Sequence, residues 1–171
     1  MSVRSDAVIS DCGLYRYRLE RELLPQLNPL AGHSCLFVMN NPSTADAMED
    51  DPTIRRVKGF AESWGFGRVY VANCNPYRAT DPKAAKVPPA DVLERNDVHM
   101  AELAWRAEWV VAAWGGKADR RLSDRALRLL KTIKPVRALE LTKAGEPKHP
   151  LYLPAELPSF IWQPLEGDSE R

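Results

Sequence analysis

The chain has 171 residues, with 24 Lys and Arg against 23 Asp and Glu and a formal net charge of +1. So even a balance excludes a generic duplex clamp that works by counterion release, and any contact with nucleic acid must come from a local basic patch. With 44% hydrophobic and 27% charged residues, the chain can bury a core, and one domain over 1–171 is expected, its core at about 13–154 with a loosely held polar tail.

The segment Gly13 to Arg21 alternates through Leu14, Tyr15, Tyr17 and Leu19, predicting an edge strand with a basic outer face. After the connection LLPQLNPLAGH, the apolar run Cys35 to Met39 ends abruptly in Asn40, Asn41 and Pro42, the pattern of a buried parallel strand. Asp51 as N-cap, Pro52 at the first position and Ile54, Val57, Phe60, Ala61 and Trp64 on one face predict a helix closed by Gly65 and Gly67. Val69 to Ala72 is a second buried strand. A helix over about Asp91 to Ala107 follows, then a strand over Trp109 to Ala113 and a helix over about Ala118 to Lys134. That last helix turns Leu122, Ala126, Leu129, Leu130 and Ile133 inward and a row of basic residues outward, and Pro135 stops it. Val136 to Leu141 is the last strand. This alternation predicts an α/β fold: a three-layer sandwich with a short, mostly parallel four-stranded central sheet and an N-terminal edge strand.

The 14 prolines against 9 glycines argue for shaped loops rather than a helical bundle. Cys12, Cys35 and Cys74 are odd in number and unpaired by spacing, which suits a reducing compartment. The polar start MSVRSDAVISD is no secretory signal, and no apolar run nears the roughly 20 residues that span a bilayer, so a cytoplasmic protein without membrane contact is expected.

Parallel sheets bind ligands beyond the carboxyl ends of their strands. The four segments there, NNPSTAD, NCNPYRATDP, WGGKAD and TKAGEPKHPLY, hold the chemically versatile residues. Asn40 and Asn41 can orient water or read a planar polar ligand, or serve only as a turn before Pro42; Asn73 and Asn75 repeat the pattern. His149, held by Pro150, can donate to a leaving group or be a surface residue. Asp46 can act as a base, whereas Asp51 reads as a cap. Ser43 and Thr44 lack a nucleophile elbow. Arg78 can contact an anion or a base edge, Thr80 shares its loop, and Trp114 beside Gly115 can stack on a ligand or fill the core. Neither common nucleotide-binding glycine loop is present, and His33, His99, Cys35 and Cys74 lack ligand spacing, so neither metal nor cofactor is expected.

The combination of NPSTAD, DPTIRR, YRATDP and HPLY, over about Tyr15 to Pro154, resembles the bacterial and phage family called domain of unknown function 1643. More distantly, the layout is similar to the uracil-DNA glycosylase superfamily: Met39-Asn40-Asn41-Pro42-Ser43 resembles its first motif and His149-Pro150 its second. The resemblance implies that fold, with Asn41 positioning water, His149 facing the leaving base and Asn73 reading the base. Met39 and Ser43 stand where the motif has glycines, and with the neutral charge this turns the expectation from duplex DNA toward a base, nucleoside, nucleotide or single strand. The expected activity is hydrolysis of an N-glycosidic bond, the base being flipped out where the substrate is a strand. The rival is a non-catalytic binding module using the same pocket, with Asn40, Ser43, Thr44, Asn75, Arg78, Thr80, Trp114 and Gly115 lining it.

Overall fold

Runs that are apolar on both faces can only be satisfied inside a sheet covered from two sides. The computed structural model describes residues 4–23 and 32–164. Its strands are β1 (Ser5–Ile9), β2 (Arg16–Glu22), β3 (Ser34–Met39), β4 (Arg68–Asn73), β5 (Trp109–Ala112), β6 (Val136–Ala138) and β7 (Phe160–Ile161). They form one sheet in the order β1-β2-β4-β3-β5-β6-β7. The strands β4, β3, β5 and β6 are mutually parallel, and the other pairings are antiparallel. The fold is α/β, but the sheet is seven-stranded and mixed rather than four-stranded.

Two apolar clusters cover its faces. Helix α1 (Pro52–Ser63) packs Ile54, Val57, Phe60 and Ala61 against Phe37, Val71 and Val111. Helices α2 (Ala90–Arg106) and α3 (Arg120–Lys131) bury Met100, Leu103, Leu122, Ala126 and Leu130 against Leu36, Tyr70 and Val110. The helix after β3 thus lies on one face and the helix after β5 on the other, which makes the carboxyl ends of these adjacent strands the topological switch point of the sheet.

Three expectations are corrected. The predicted edge strand, β2, lies inside the sheet between β1 and β4. The tail is not loose throughout, since β7 pairs with β6 and Trp162 is buried in a T-shaped stack on Trp114. Helix α3 begins later than expected because Asp119 caps it, accepting from the Arg121 N–H at 2.9 Å. The connection 24–31 and residues 165–171 lie outside the described residues. Among the described residues, no helix is long and apolar enough to cross a membrane.

Candidate functional site at the carboxyl ends of the parallel strands

Backbone hydrogen bonds stitch the post-strand segments together. The N–H groups of Cys74, Asn75 and Ala79 donate to the carbonyls of Met39, Asn40 and Pro42 at 2.8, 2.9 and 2.9 Å. The Gly115 N–H donates to the Pro147 carbonyl at 2.9 Å, joining the segment after β5 to the one that carries His149. Asn41 belongs to this seam: its Nδ2 donates to the carbonyls of Ala79 (3.0 Å) and Pro42 (3.1 Å). The amide is thereby oriented, and its Oδ1 takes no hydrogen bond from the described residues. Asn75 is a brace, giving Nδ2–H to the Lys86 carbonyl and accepting the Tyr77 N–H. Asn40 and Ser43 are half-buried beside the seam, and Thr44 and Thr80 are exposed.

Asp46 turns its carboxylate onto its own loop. Its Oδ1 accepts the Met48 and Glu49 N–H groups at 2.7 and 3.0 Å, and these bonds hold its pKa below the usual carboxylate range. An anion so stabilised is a weak base.

His149 stands just before a 3-10 turn, Pro150–Tyr152, that packs on α1. Its Nδ1 accepts the Leu151 N–H at 3.2 Å, so the neutral ring carries its proton on Nε2. Burial lowers its pKa, and the Asp51 carboxylate at the head of α1 offsets part of that effect. The residue is thus an uncharged donor at neutral pH. Gly115, at φ +79°, lets the other wall come close; a Cβ there would lie 3.4 Å from the His149 Cβ.

The most unusual group is one that sequence reasoning passed over. In the β1–β2 ladder Val8 faces Arg18 and Ile9 faces Arg16, so Tyr17 is an extra residue, a β-bulge. Arg18 pairs with Glu102 of α2, and Tyr17 stacks on His99 of the same helix. The bulge therefore sends Arg16 to the opposite face, toward α1. Its side chain is 2% exposed. Nη1 donates to the Ala45 carbonyl at 2.8 Å and Nη2 makes a long 3.5 Å contact with the Asn73 Oδ1, while Nε has no partner. Burial pushes the Arg16 pKa down to about 10, helped by the nearby guanidiniums of Arg78 and Arg21 and opposed by Asp51. Arg78 donates to the Gly13 carbonyl at 3.1 Å, and its buried Nε likewise lacks a partner.

Asn41, Asn73, Arg78, Gly115 and His149 are thus tied into one end of the sheet through shared loops, with Arg16 and Asp51 among them. Trp114 is not: it is buried in the core under α2 and α3, donating to Glu146 at 3.2 Å. A groove of about 480 Å³ lies elsewhere, along α1, where Arg21 and Lys58 both pair with Asp50. Its charges answer one another. Among the described residues no group of three or more His, Cys, Asp or Glu could hold a metal.

Residues 16–151 match the model of a family described as a protein of unknown function, DUF1643. No curated protein matches the chain. Among solved structures, it is similar to a chain of the hetero-hexameric glutamate dehydrogenase from Thermus thermophilus in its leucine-bound form, at 15% identity and a TM-score of 0.34. That similarity covers 77% of this chain and 30% of that one. At such a score it supports no inference.

Proposed function

The chain belongs to the DUF1643 family of proteins of unknown function, and we propose that it hydrolyses the N-glycosidic bond of a base-bearing nucleoside or nucleotide, on a uracil-DNA glycosylase-like scaffold. The reading is supported by two oriented groups in the segments that follow the parallel strands. Asn41 is pinned through Nδ2 so that Oδ1 remains to accept from a water, and His149 is held neutral with Nε2–H as a donor.

In the proposed reaction the bond between C1′ and the base nitrogen breaks, and its electron pair leaves with the base. The Nε2–H of His149 stabilises that developing anion; a neutral donor in a half-buried site does so without itself giving up a proton. Water held by the Asn41 Oδ1 supplies its oxygen to C1′, and the proton it sheds ends on the released base. Asn73, at the end of β4, is buried with its Oδ1 facing the Arg16 Nη2 at 3.5 Å and supports the site from beneath. No general base is required of Asp46, whose carboxylate is engaged by backbone. Asp51, near His149, keeps the developing sugar cation beside a negative charge.

The same engagement of Asp46 favours the second reading, a binding module that holds a base or nucleotide without turning it over. Base release separates the two. Wild type and the variants Asn41→Ala and His149→Ala, checked for folding by circular dichroism, are incubated with nucleosides, nucleotides and short single strands, and free base is measured by chromatography. Release by wild type that falls at least a hundredfold in both variants is the expected result. Binding without release establishes the module, and release undiminished in both variants removes Asn41 and His149 from the mechanism.

A further inference from the structure

We propose that Arg16 and Arg78 form a subsite for a phosphate monoester, so that the molecule taken at the strand ends is a nucleotide with a terminal phosphate. The nucleoside part of this assignment rests on the reading above; the phosphate part rests on the arginines alone.

The antiparallel bridge between Tyr15 and Tyr77 sets Arg16 beside Arg78: the Arg16 N–H donates to the Pro76 carbonyl at 2.9 Å and the Arg78 N–H to the Leu14 carbonyl at 2.8 Å, and the charges of Arg78 and Arg21 both act on Arg16. Only Arg21 is neutralised by contact, with Asp50 at 2.7 Å. Neither Arg16 nor Arg78 makes an ion pair among the described residues, and each has a buried Nε without an acceptor. Two carboxylates act on the pair, Asp51 on Arg16 and Asp46 on Arg78, yet neither makes ion-pair contact with them: the Asp51 Oδ1 caps α1 through the Ile54 N–H and the Asp46 Oδ1 is held by the Met48 and Glu49 N–H groups. Removing a cation from water and setting a like charge beside it is costly, and proteins do so where an anion completes the set.

The donors suit phosphate in particular. Guanidiniums present planar pairs of N–H groups that match two oxygens of one phosphate. Two such cations match the charge of a monoester, about −1.5 to −2 at neutral pH, better than the single charge of a diester. Arg78 is the more exposed of the two and is the one a ligand meets first. The bulge at Tyr17 is what turns Arg16 into this position, and bulges of this kind re-aim side chains beside sites.

The test uses the full chain at constant ionic strength. Unfolding temperature and calorimetric Kd are measured with inorganic phosphate, nucleoside 5′-monophosphates, the parent nucleosides, and a single strand lacking terminal phosphates. Phosphate and monophosphates are expected to stabilise the protein, with monophosphates binding at least tenfold tighter than nucleosides. Arg78→Gln is expected to erase that tenfold preference for monophosphate over nucleoside, and a folded Arg16→Lys, which keeps the charge but loses the paired donors, to weaken monophosphate binding as well. Equal affinity for nucleoside and monophosphate, an unaltered Kd in Arg78→Gln, or equally tight binding of the strand without terminal phosphate each overturns the subsite. Monophosphate binding that depends on Arg78 but releases no base sinks the hydrolase reading and leaves the subsite standing. Base release as fast from nucleosides as from monophosphates does the reverse.

Discussion

Asp51 sits where folding and chemistry meet, and two substitutions separate its roles. Its carboxylate caps α1 through a 2.8 Å bond from the Ile54 N–H, and its charge acts on both Arg16 and His149. Asp51→Asn keeps a capping oxygen and removes the charge; Asp51→Ala removes both. Asn and Asp are comparable caps, whereas Ala costs about 1 kcal/mol, so the Ala variant should be less stable than the Asn variant by that amount. For a chain of this size that is a difference of roughly 2–4 °C in unfolding temperature. The charge component is the step from wild type to Asn. Beyond contact distance, at an effective dielectric of about 20, it is on the order of 1–2 kcal/mol through buried Arg16. In both variants the His149 pKa should fall further, since the carboxylate that opposes the effect of burial is gone. Chemical denaturation gives the stabilities and NMR titration of the imidazole gives the pKa. Equal stability of the two variants would refute the cap, and an unmoved His149 titration would refute the placement of Asp51 beside it.

Trp162→Ala removes a 7%-exposed indole stacked on Trp114 and should cost about 3–5 kcal/mol in urea denaturation; a loss below about 1 kcal/mol would mean that β7 is not part of the cooperative core. Stability should also depend on pH through His149 and His99, whose pKa values burial lowers. Because the unfolded chain binds these protons more readily, the contribution is complete above about pH 6.5 and is lost as pH falls through that value toward the folded pKa values. For each histidine, every tenfold by which folding weakens proton binding is worth about 1.4 kcal/mol at most. The double variant His99→Gln/His149→Gln should flatten the urea midpoint between about pH 5 and 7, and an unchanged slope would place the acid sensitivity in other groups.

Local chemistry made part of this fold readable. Asp51-Pro52 followed by apolar residues at helical spacing marks α1 because cap, fixed φ and buried stripe all agree. The four parallel strands show as apolar runs because they are covered on both faces. The partners that complete the sheet carry weaker signals: β1 is short and half-exposed, and β7 has two residues whose membership depends on Trp162 finding the core beneath α3. The placement of β2 at an edge failed for a related reason. Strict alternation puts Arg16 with Arg18 on one face, which reads as solvated, and a single extra residue at Tyr17 reverses that assignment. A bulge is a property of two paired strands, and nothing in Tyr15-Arg16-Tyr17-Arg18 announces it before β1 is in place. That the post-strand segments carrying Asn41, Asn73, Arg78 and His149 lie toward one end of the sheet follows from parallel topology alone. Which of their atoms remain free was not legible, since that depends on carbonyls supplied by distant loops.

How polarity is distributed in the core bears on whether this end of the sheet exists for packing alone. Arg16, Asn73, Asn75 and Asn96 are all buried, and they gather at or just beyond the carboxyl end of β4, Asn96 by donating to the Asn73 carbonyl at 2.8 Å. Two of them keep a buried atom without an acceptor or donor, the Nε of Arg16 and the Oδ1 of Asn96. Stability would be served better by apolar residues of similar volume, as it is along the rest of β3, β4 and β5. The buried polar groups near the amino ends of the same strands are answered by partners: Arg21, opposite Val69, pairs with Asp50 at 2.7 Å, and Ser34 is satisfied by Glu108 and the Arg106 carbonyl. The buried cation at the carboxyl end, turned inward by a bulge, is instead left without an ion pair among the described residues, a departure from what packing alone would choose. Departures from local consistency are expected where a site is functional or strained rather than built for packing alone.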